Sequence, residues 1–139
     1  MILIDTGPLV AAVHPQDKQH ERALGLLAAV SAGRYGQPLS TDYILAEGLT
    51  LIQVRVGRRD IADRFAALFS GAKDHSVAAL AVRSTGADIL EEAIELHFQH
   101  YDRRLSVTDC SLVAHARRLQ AVIGTFDGRF AGVAPVVDA

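Results

Sequence analysis

Apolar residues fall along this chain in two rhythms. Residues 2–4 form a short, uncharged, wholly apolar run, the pattern of a strand buried on both faces. Residues 77–82 and 121–126 repeat it, and residues 36–41 read as a loop leading into one more brief strand. Residues 133–137 predict a last strand, and Pro135, which has no N–H to give a ladder, places it at an edge. Elsewhere apolar positions recur every three or four residues, the spacing of one helix face. Pro8 suits the first turn of a short helix that runs into His14-Pro15. Asp17 is placed to cap a second helix carrying Ala23, Leu24, Leu27, Ala28 and Val30, which stops near Gly33. Ser40 or Thr41 caps a third, running to about Val56 and ended by Gly57. Residues 60–69 predict a fourth, with Ile61, Phe65, Leu68 and Phe69 on one side and Gly71 closing it. Ser84 or Thr85 opens a fifth that reaches about His100. Leu105-Ser106 begins a sixth lasting to about Leu119, and residues 128–130 form a turn or short helix.

Strands that alternate with helices predict an α/β fold, a mostly parallel sheet covered on both faces. No linker, repeat or low-complexity segment divides the 139 residues, so residues 1–139 are expected to form one domain. Half the residues are hydrophobic and 22% are charged, which fits a soluble globular chain. No stretch is long and apolar enough for a bilayer, and no basic region precedes the first apolar run as in a signal peptide. A single cysteine, Cys110, excludes an internal disulfide framework and fits a reducing cytoplasm. The net charge of −2 gives no global attraction to nucleic acid. The arginines are grouped, however: Arg55, Arg58 and Arg59; Arg103 and Arg104; Arg117 and Arg118; and Arg129. Solvated helix faces and helix C-termini account for such groups.

Four acids change this picture. In parallel sheets, sites form beyond the carboxyl ends of the strands. Asp5 follows the first strand in MILIDTGPLVAA, and Asp127 follows another in AVIGTFDGRF, where Asp-Gly is also a turn signal. Asp109 lies three residues after Ser106 in LSVTDCSLVAHARRL, the spacing of a capping box whose first turn points toward the strand ends. Glu47 is mid-helix in STDYILAEGLTLIQV. Ile44 three before it, Leu51 four after and Val54 seven after predict that it shares an apolar stripe. A buried carboxylate needs a cation, either an arginine or a metal. Gly48 beside it costs helix stability, about 1 kcal/mol against alanine, as though something approaches closely there. If the four acids converge, each close pair repels by roughly 4 kcal/mol, so some stay protonated or a divalent cation sits among them. All-oxygen donors select Mg²⁺ or Mn²⁺, the ions of phosphodiester hydrolysis.

In order and spacing, these segments resemble the PIN domain, the fold of VapC-type toxin ribonucleases. ILIDTGPLVA is similar to the family's opening strand and first acid. Asp17-x-x-His20-x-x-Ala23 resembles the start of its second helix. STDYILAEGLTLI, LSVTDCSLVAHARRL and GTFDGRF resemble its second, third and fourth acidic motifs. The resemblance covers nearly the whole chain and implies a PIN-like three-layer fold. It further implies metal-dependent endonucleolytic cleavage of RNA, with tRNA or rRNA as the substrate class. Asp5, Glu47, Asp109 and Asp127 would be the catalytic and Mg²⁺- or Mn²⁺-binding residues. The partners it implies are a small antitoxin from the same operon and a second copy of the chain. Thr6 and Thr108 adjoin two of the acids and would orient them or the attacking water. Arg103, Arg104 and Arg129, beside the acidic motifs, are the first candidates for RNA phosphates.

Other residues read more simply. His97 and His100 have helical spacing, but His97 fits a partly buried packing position, and no Cys/His cluster supports zinc. Cys110 reads as packing, and Ser111 with His115 makes no triad. Asp42 reads as a first-turn acid, Asp102 as a loop residue and Asp138 as tail. Alternative functions are a PIN nuclease of RNA processing without an antitoxin, and a non-catalytic PIN-like RNA- or protein-binding module. A haloacid-dehalogenase-type phosphatase is disfavoured, because Asp5-Thr6-Gly7 lacks the second aspartate two residues on.

Overall fold

The structure is a computed structural model that describes residues 1–69 and 79–137. Five strands form one sheet: β1 (Ile2–Ile4), β2 (Pro38–Thr41), β3 (Ala81–Arg83), β4 (Val122–Gly124) and β5 (Val136–Val137). All pair in parallel, in the order β3-β2-β1-β4-β5. β1 is central, with Ile2 opposite both Pro38 and Val122. Its three side chains are fully buried, as a wholly apolar run in a two-faced sheet requires.

The helices are α1 (Thr6–Val13), α2 (His20–Ser31), α3 (Asp42–Leu51), α4 (Arg59–Ala67), α5 (Ala87–Gln99) and α6 (Val107–Leu119). From β1 the chain builds outward to β3, then returns across the sheet to β4. Right-handed crossovers put α1–α4 on one face and α5 and α6 on the other. The packing agrees: α1 meets α2, α3 and α4, whereas α5 packs on α6. The reversal of direction opens a crevice between the carboxyl ends of β1 and β4, the switch point where doubly wound sheets bind ligands.

Several expected boundaries move. Asp17 does not cap α2; its Oδ1 accepts from the Gln19 N–H at 2.8 Å, and Gln19 is the cap residue. The strand expected at 77–82 is β3, at 81–83, and it lies exposed at the sheet edge. Residues 77 and 78, Gly71 and Asp138 lie outside the described residues. At the start of α3, Thr41 is the cap, accepting from the Ile44 N–H at 3.2 Å, while Ser40 donates to the Ile4 carbonyl at 3.0 Å.

Neither Ser84 nor Thr85 caps α5; Gly86 does, without a side chain. Thr85 instead ties three elements together. Its backbone N–H and its hydroxyl both donate to Asp42 Oδ1, at 3.0 and 2.7 Å. The hydroxyl proton is thereby committed to a carboxylate that can only accept, so His115 Nε2, 3.1 Å away, is the donor to Thr85 Oγ1. Burial opposes ionisation of Asp42, but the Thr85 and Tyr43 hydrogen bonds outweigh it and hold the carboxyl below its usual range. Thr85→Val removes the shared hydroxyl. The expected loss is about 2 kcal/mol by urea unfolding at pH 7, as for a hydrogen bond to a charged group. A depressed pKa confers stability above the ordinary carboxylate value, so the difference from wild type should narrow as pH falls below about 4.

Candidate active site

β1 delivers Asp5 directly to the switch point. The residue caps α1, its Oδ1 accepting from the Thr6 N–H at 2.7 Å. Its Oδ2 accepts from the Thr125 hydroxyl at 2.8 Å. Thr125 follows β4, and its hydroxyl oxygen also accepts the Asp127 N–H at 3.0 Å. One threonine therefore positions the first and fourth acids of the sequence. Thr6 does the same for the second: its hydroxyl donates to Glu47 Oε2. Among the described residues Thr108 makes no such bond to an acid; its carbonyl accepts from Ser111 Oγ at 2.6 Å.

Glu47 is half-buried on α3. The apolar stripe expected around it fails at one end, because Val54 is 76% exposed. The cause is a π-helical turn at Ile52–Val56, closed where Gly57 takes the left-handed conformation (φ 68°) and its N–H meets the Ile52 carbonyl at 2.8 Å. At about 100° per residue, an unbroken α-helix would set Val54 within about 20° of Glu47 and Arg55 about 80° away. The wide turn slips the register by one residue. Arg55 then comes round to the Glu47 side and lines the same cleft, while Val54 turns to water. Gly48 has a separate reason. A Cβ there would lie 2.0 Å from Phe65 Cζ, so the close neighbour anticipated in the sequence is a core ring from α4.

Asp109 and Ser106 form the expected capping box. Ser106 Oγ accepts the Asp109 N–H at 3.0 Å, and Asp109 Oδ2 accepts the Ser106 N–H at 2.7 Å. α6 buries eight consecutive residues from Asp109 to Ala116, so the carboxylate stands on a rigid element. Asp127 is held differently. Arg129 Nε lies 2.9 and 2.8 Å from its two oxygens, and Arg129 Nη1 donates to the Arg104 carbonyl at 2.7 Å.

All four acids line one open cleft of about 440 Å³. Thr6, Arg55, Arg104 and Arg129 share its walls, as does Asp17. Burial, followed by the charges of Asp109 and Glu47, pushes the Asp5 carboxyl up to about 6 against the hydrogen bonds from Thr125 and Thr6. Burial and Asp109 also raise Glu47, and Arg55 opposes them. Arg129 holds Asp127 below the ordinary range. The cleft thus places charge-repelling oxygens deep and guanidinium groups around them. Its donor set is oxygen alone, the chemistry suited to Mg²⁺ or Mn²⁺. Among the described residues, no three side chains of Asp, Glu, His or Cys close on a common point as a finished metal cage. Asp109 and Glu47 raise the proton affinity of Asp5, and Asp109 raises that of Glu47, whereas Asp127 has its counterion in Arg129.

Three contributors were not legible as site residues in the sequence. Thr125 stands two residues before Asp127, a weak local signal. Arg55 is hidden by the π-turn. Asp17 reads as a helix cap. His97 and Cys110, read as structural, behave so. His97 Nδ1–H donates to the Leu105 carbonyl at 2.9 Å. Cys110 is buried, and burial pushes its thiol up to about 11, out of nucleophile range.

The family model of the PIN domain matches residues 2–135. The chain belongs to the PIN domain family. No curated protein matches it in sequence. Among solved structures it is similar to Mycobacterium tuberculosis VapC20, a toxin that cleaves the sarcin–ricin loop. The identity is 25% and the TM-score 0.80, with 100% of this chain and 98% of that one covered. It is also similar to VapBC2 of Rickettsia felis bound to a promoter DNA fragment, at 15% identity and TM-score 0.70, covering 99% and 98%. A Klebsiella pneumoniae toxin–antitoxin complex matches at 16% identity and TM-score 0.65, covering 99% and 96%. These likenesses match the five-stranded parallel PIN fold, and among the described residues no helix is long and apolar enough to cross a membrane.

Proposed function

We propose that this PIN domain is a metal-dependent endoribonuclease and the toxin of a toxin–antitoxin pair. One observation carries the reading. Asp5, Glu47 and Asp109, each fixed by a threonine or a capping box, face one cleft at the switch point of the sheet. VapC20 supports ribosomal RNA as the substrate class, and the two toxin–antitoxin neighbours support a small antitoxin as partner. A homodimer and a cytoplasmic site of action complete the proposal.

In this reading Asp5, Glu47, Asp109 and Asp127 would hold Mg²⁺ or Mn²⁺, and Arg129, now paired with Asp127, would meet RNA phosphate. When bound, the cation would lower the pKa of water at the site and offset negative charge there. The chain's own groups do the rest. Thr125 and Thr6 keep Asp5 and Glu47 from turning away, so the acids are pre-positioned. Arg55 and Arg104, on the cleft wall, meet the phosphates on either side of the scissile bond. Asp109 is anchored through one oxygen and leaves the other for the site. This hydrolysis does not use the ribose 2′-hydroxyl, so preference for RNA comes from binding.

The test is cleavage of total RNA by the purified chain with Mg²⁺, with Mn²⁺ and with chelator, beside Glu47→Gln. Discrete cuts that need metal and disappear in Glu47→Gln are the expected result. Cuts that persist in Glu47→Gln would remove the proposed site. A folded, antitoxin-free chain that binds metal without cutting would favour the binding-module reading.

A further inference from the structure

Two aromatic rings stand out of keeping with the rest of the surface. The chain has eight Phe and Tyr residues, and six of them are buried or half-buried. Phe98 and Tyr101 are 68% and 62% exposed. Phe98 lies at the end of α5, and Tyr101 opens the short 3₁₀ turn Tyr101–Arg103 that follows. Their planes are 7° from parallel with centroids 6.1 Å apart. Both stand edge-on to His97, at 5.4 and 5.5 Å, and His97 is itself pinned to the Leu105 carbonyl. The rings are therefore oriented by the protein and stand largely exposed to water.

The platform is continuous with the cleft. Arg104 lines the catalytic cleft and also the neighbouring pocket of about 570 Å³ formed with His97, Tyr101 and Asp102. Arg104 holds φ at 58°, a conformation that favours glycine, yet it is an arginine. Its carbonyl accepts from Arg129, the partner of Asp127. Arg103 Nη1 donates to the Ala131 carbonyl at 2.6 Å. The aromatic turn is thus bolted to the loop that carries the fourth acid. Flat exposed rings beside a guanidinium match one ligand chemistry well: an unpaired nucleobase, which stacks, and its phosphate, which the arginine meets.

We infer that Phe98 and Tyr101, with Arg104, form a base-stacking subsite that holds an unpaired nucleotide next to the scissile phosphate. The identity of that ligand rests on the nuclease reading above. The subsite explains how a cleft built for any phosphodiester selects single-stranded positions in a folded RNA.

The chain has no tryptophan, so Tyr101→Trp creates a single reporter. It is titrated in chelator with a ten-nucleotide single-stranded RNA. Saturable quenching of its fluorescence is expected, and a matched duplex should quench weakly. Phe98→Ala with Tyr101→Ala should weaken RNA binding about tenfold and raise KM while leaving kcat within a few-fold. Arg104→Gly relieves the backbone and removes the side chain with its guanidinium, so it should weaken binding and make it less sensitive to salt. An unquenched Tyr101→Trp chain that still cleaves RNA would overturn the subsite and spare the nuclease. Quenching without cleavage under any metal would do the reverse. If the double alanine variant changes from dimer to monomer by light scattering and keeps its KM, the patch is an interface between copies and the inference fails.

Discussion

Asp5→Asn will raise the melting temperature near pH 7.5 in chelator and abolish RNA cleavage. The folded chain binds the Asp5 proton more tightly than the unfolded chain does, since burial and the neighbouring acids lift the carboxyl from 3.8 to about 6. Between those values the folded state holds more protons, so its stability falls as pH rises through that window. Above pH 6 the full penalty applies, about 3 kcal/mol. Asparagine cannot ionise and escapes it, but it offers one acceptor where the carboxylate serves two donors, Thr6 N–H and Thr125 Oγ. The expected net gain is about 1–2 kcal/mol, a rise of several degrees, and it should vanish near pH 4. Adding Mg²⁺ should reverse the ranking, because a cation that binds the folded wild type stabilises it by mass action. Cleavage should fall about a thousandfold or more, the scale of several kcal/mol of transition-state stabilisation. Thermal melts across pH, with and without Mg²⁺, check every limb. A variant less stable than wild type at pH 7.5 would contradict the electrostatic account.

Gly48→Ala is expected to be the most damaging single methyl group in the fold. Alanine gains about 1 kcal/mol as a helix former. Its Cβ, however, would stand 2.0 Å from Phe65 Cζ and 2.5 and 2.7 Å from Phe65 Cε1 and Cε2. Phe65 is fully buried and packs on Phe69 at 5.3 Å, so the ring has little room to retreat. The net loss should be about 2–3 kcal/mol, or a melting temperature lower by about 10 °C. Because α3 carries Glu47, cleavage at 37 °C should fall with it. Phe65→Leu makes space at the point of collision. In the double variant the two losses should be clearly less than additive, which a double-mutant cycle measures.

What could be read from the sequence divides along a physical line. Features carried by a few adjacent residues were legible: β1 from its unbroken apolar run, the α6 cap from Ser106 and Asp109, the edge placement of β5 from Pro135. The four acids were legible as candidates because each sits where a strand ends or a helix face turns inward, and the structure does bring all four to one cleft. Features that depend on distant partners were not. Nothing near Asp42 announces Thr85 and His115, and nothing near Asp5 announces Thr125. Nor can helical counting foresee the π-turn, which advances Arg55 and expels Val54 through backbone bonding rather than side-chain pattern. The counterion of Asp127 was within two residues of it, yet Arg129 read there only as a candidate for phosphate.

The central position of β1 has a consequence for how this protein is made. Thr125, which holds Asp5, is synthesised 120 residues after it. β1 finds one neighbour only when Val122 to Gly124 has been synthesised. A chain stopped anywhere earlier possesses at most three of the four acids and no crevice to gather them. Parallel pairing across such a span is slow and late. The site therefore assembles only once the β4 segment and the Thr125 that follows it have been made.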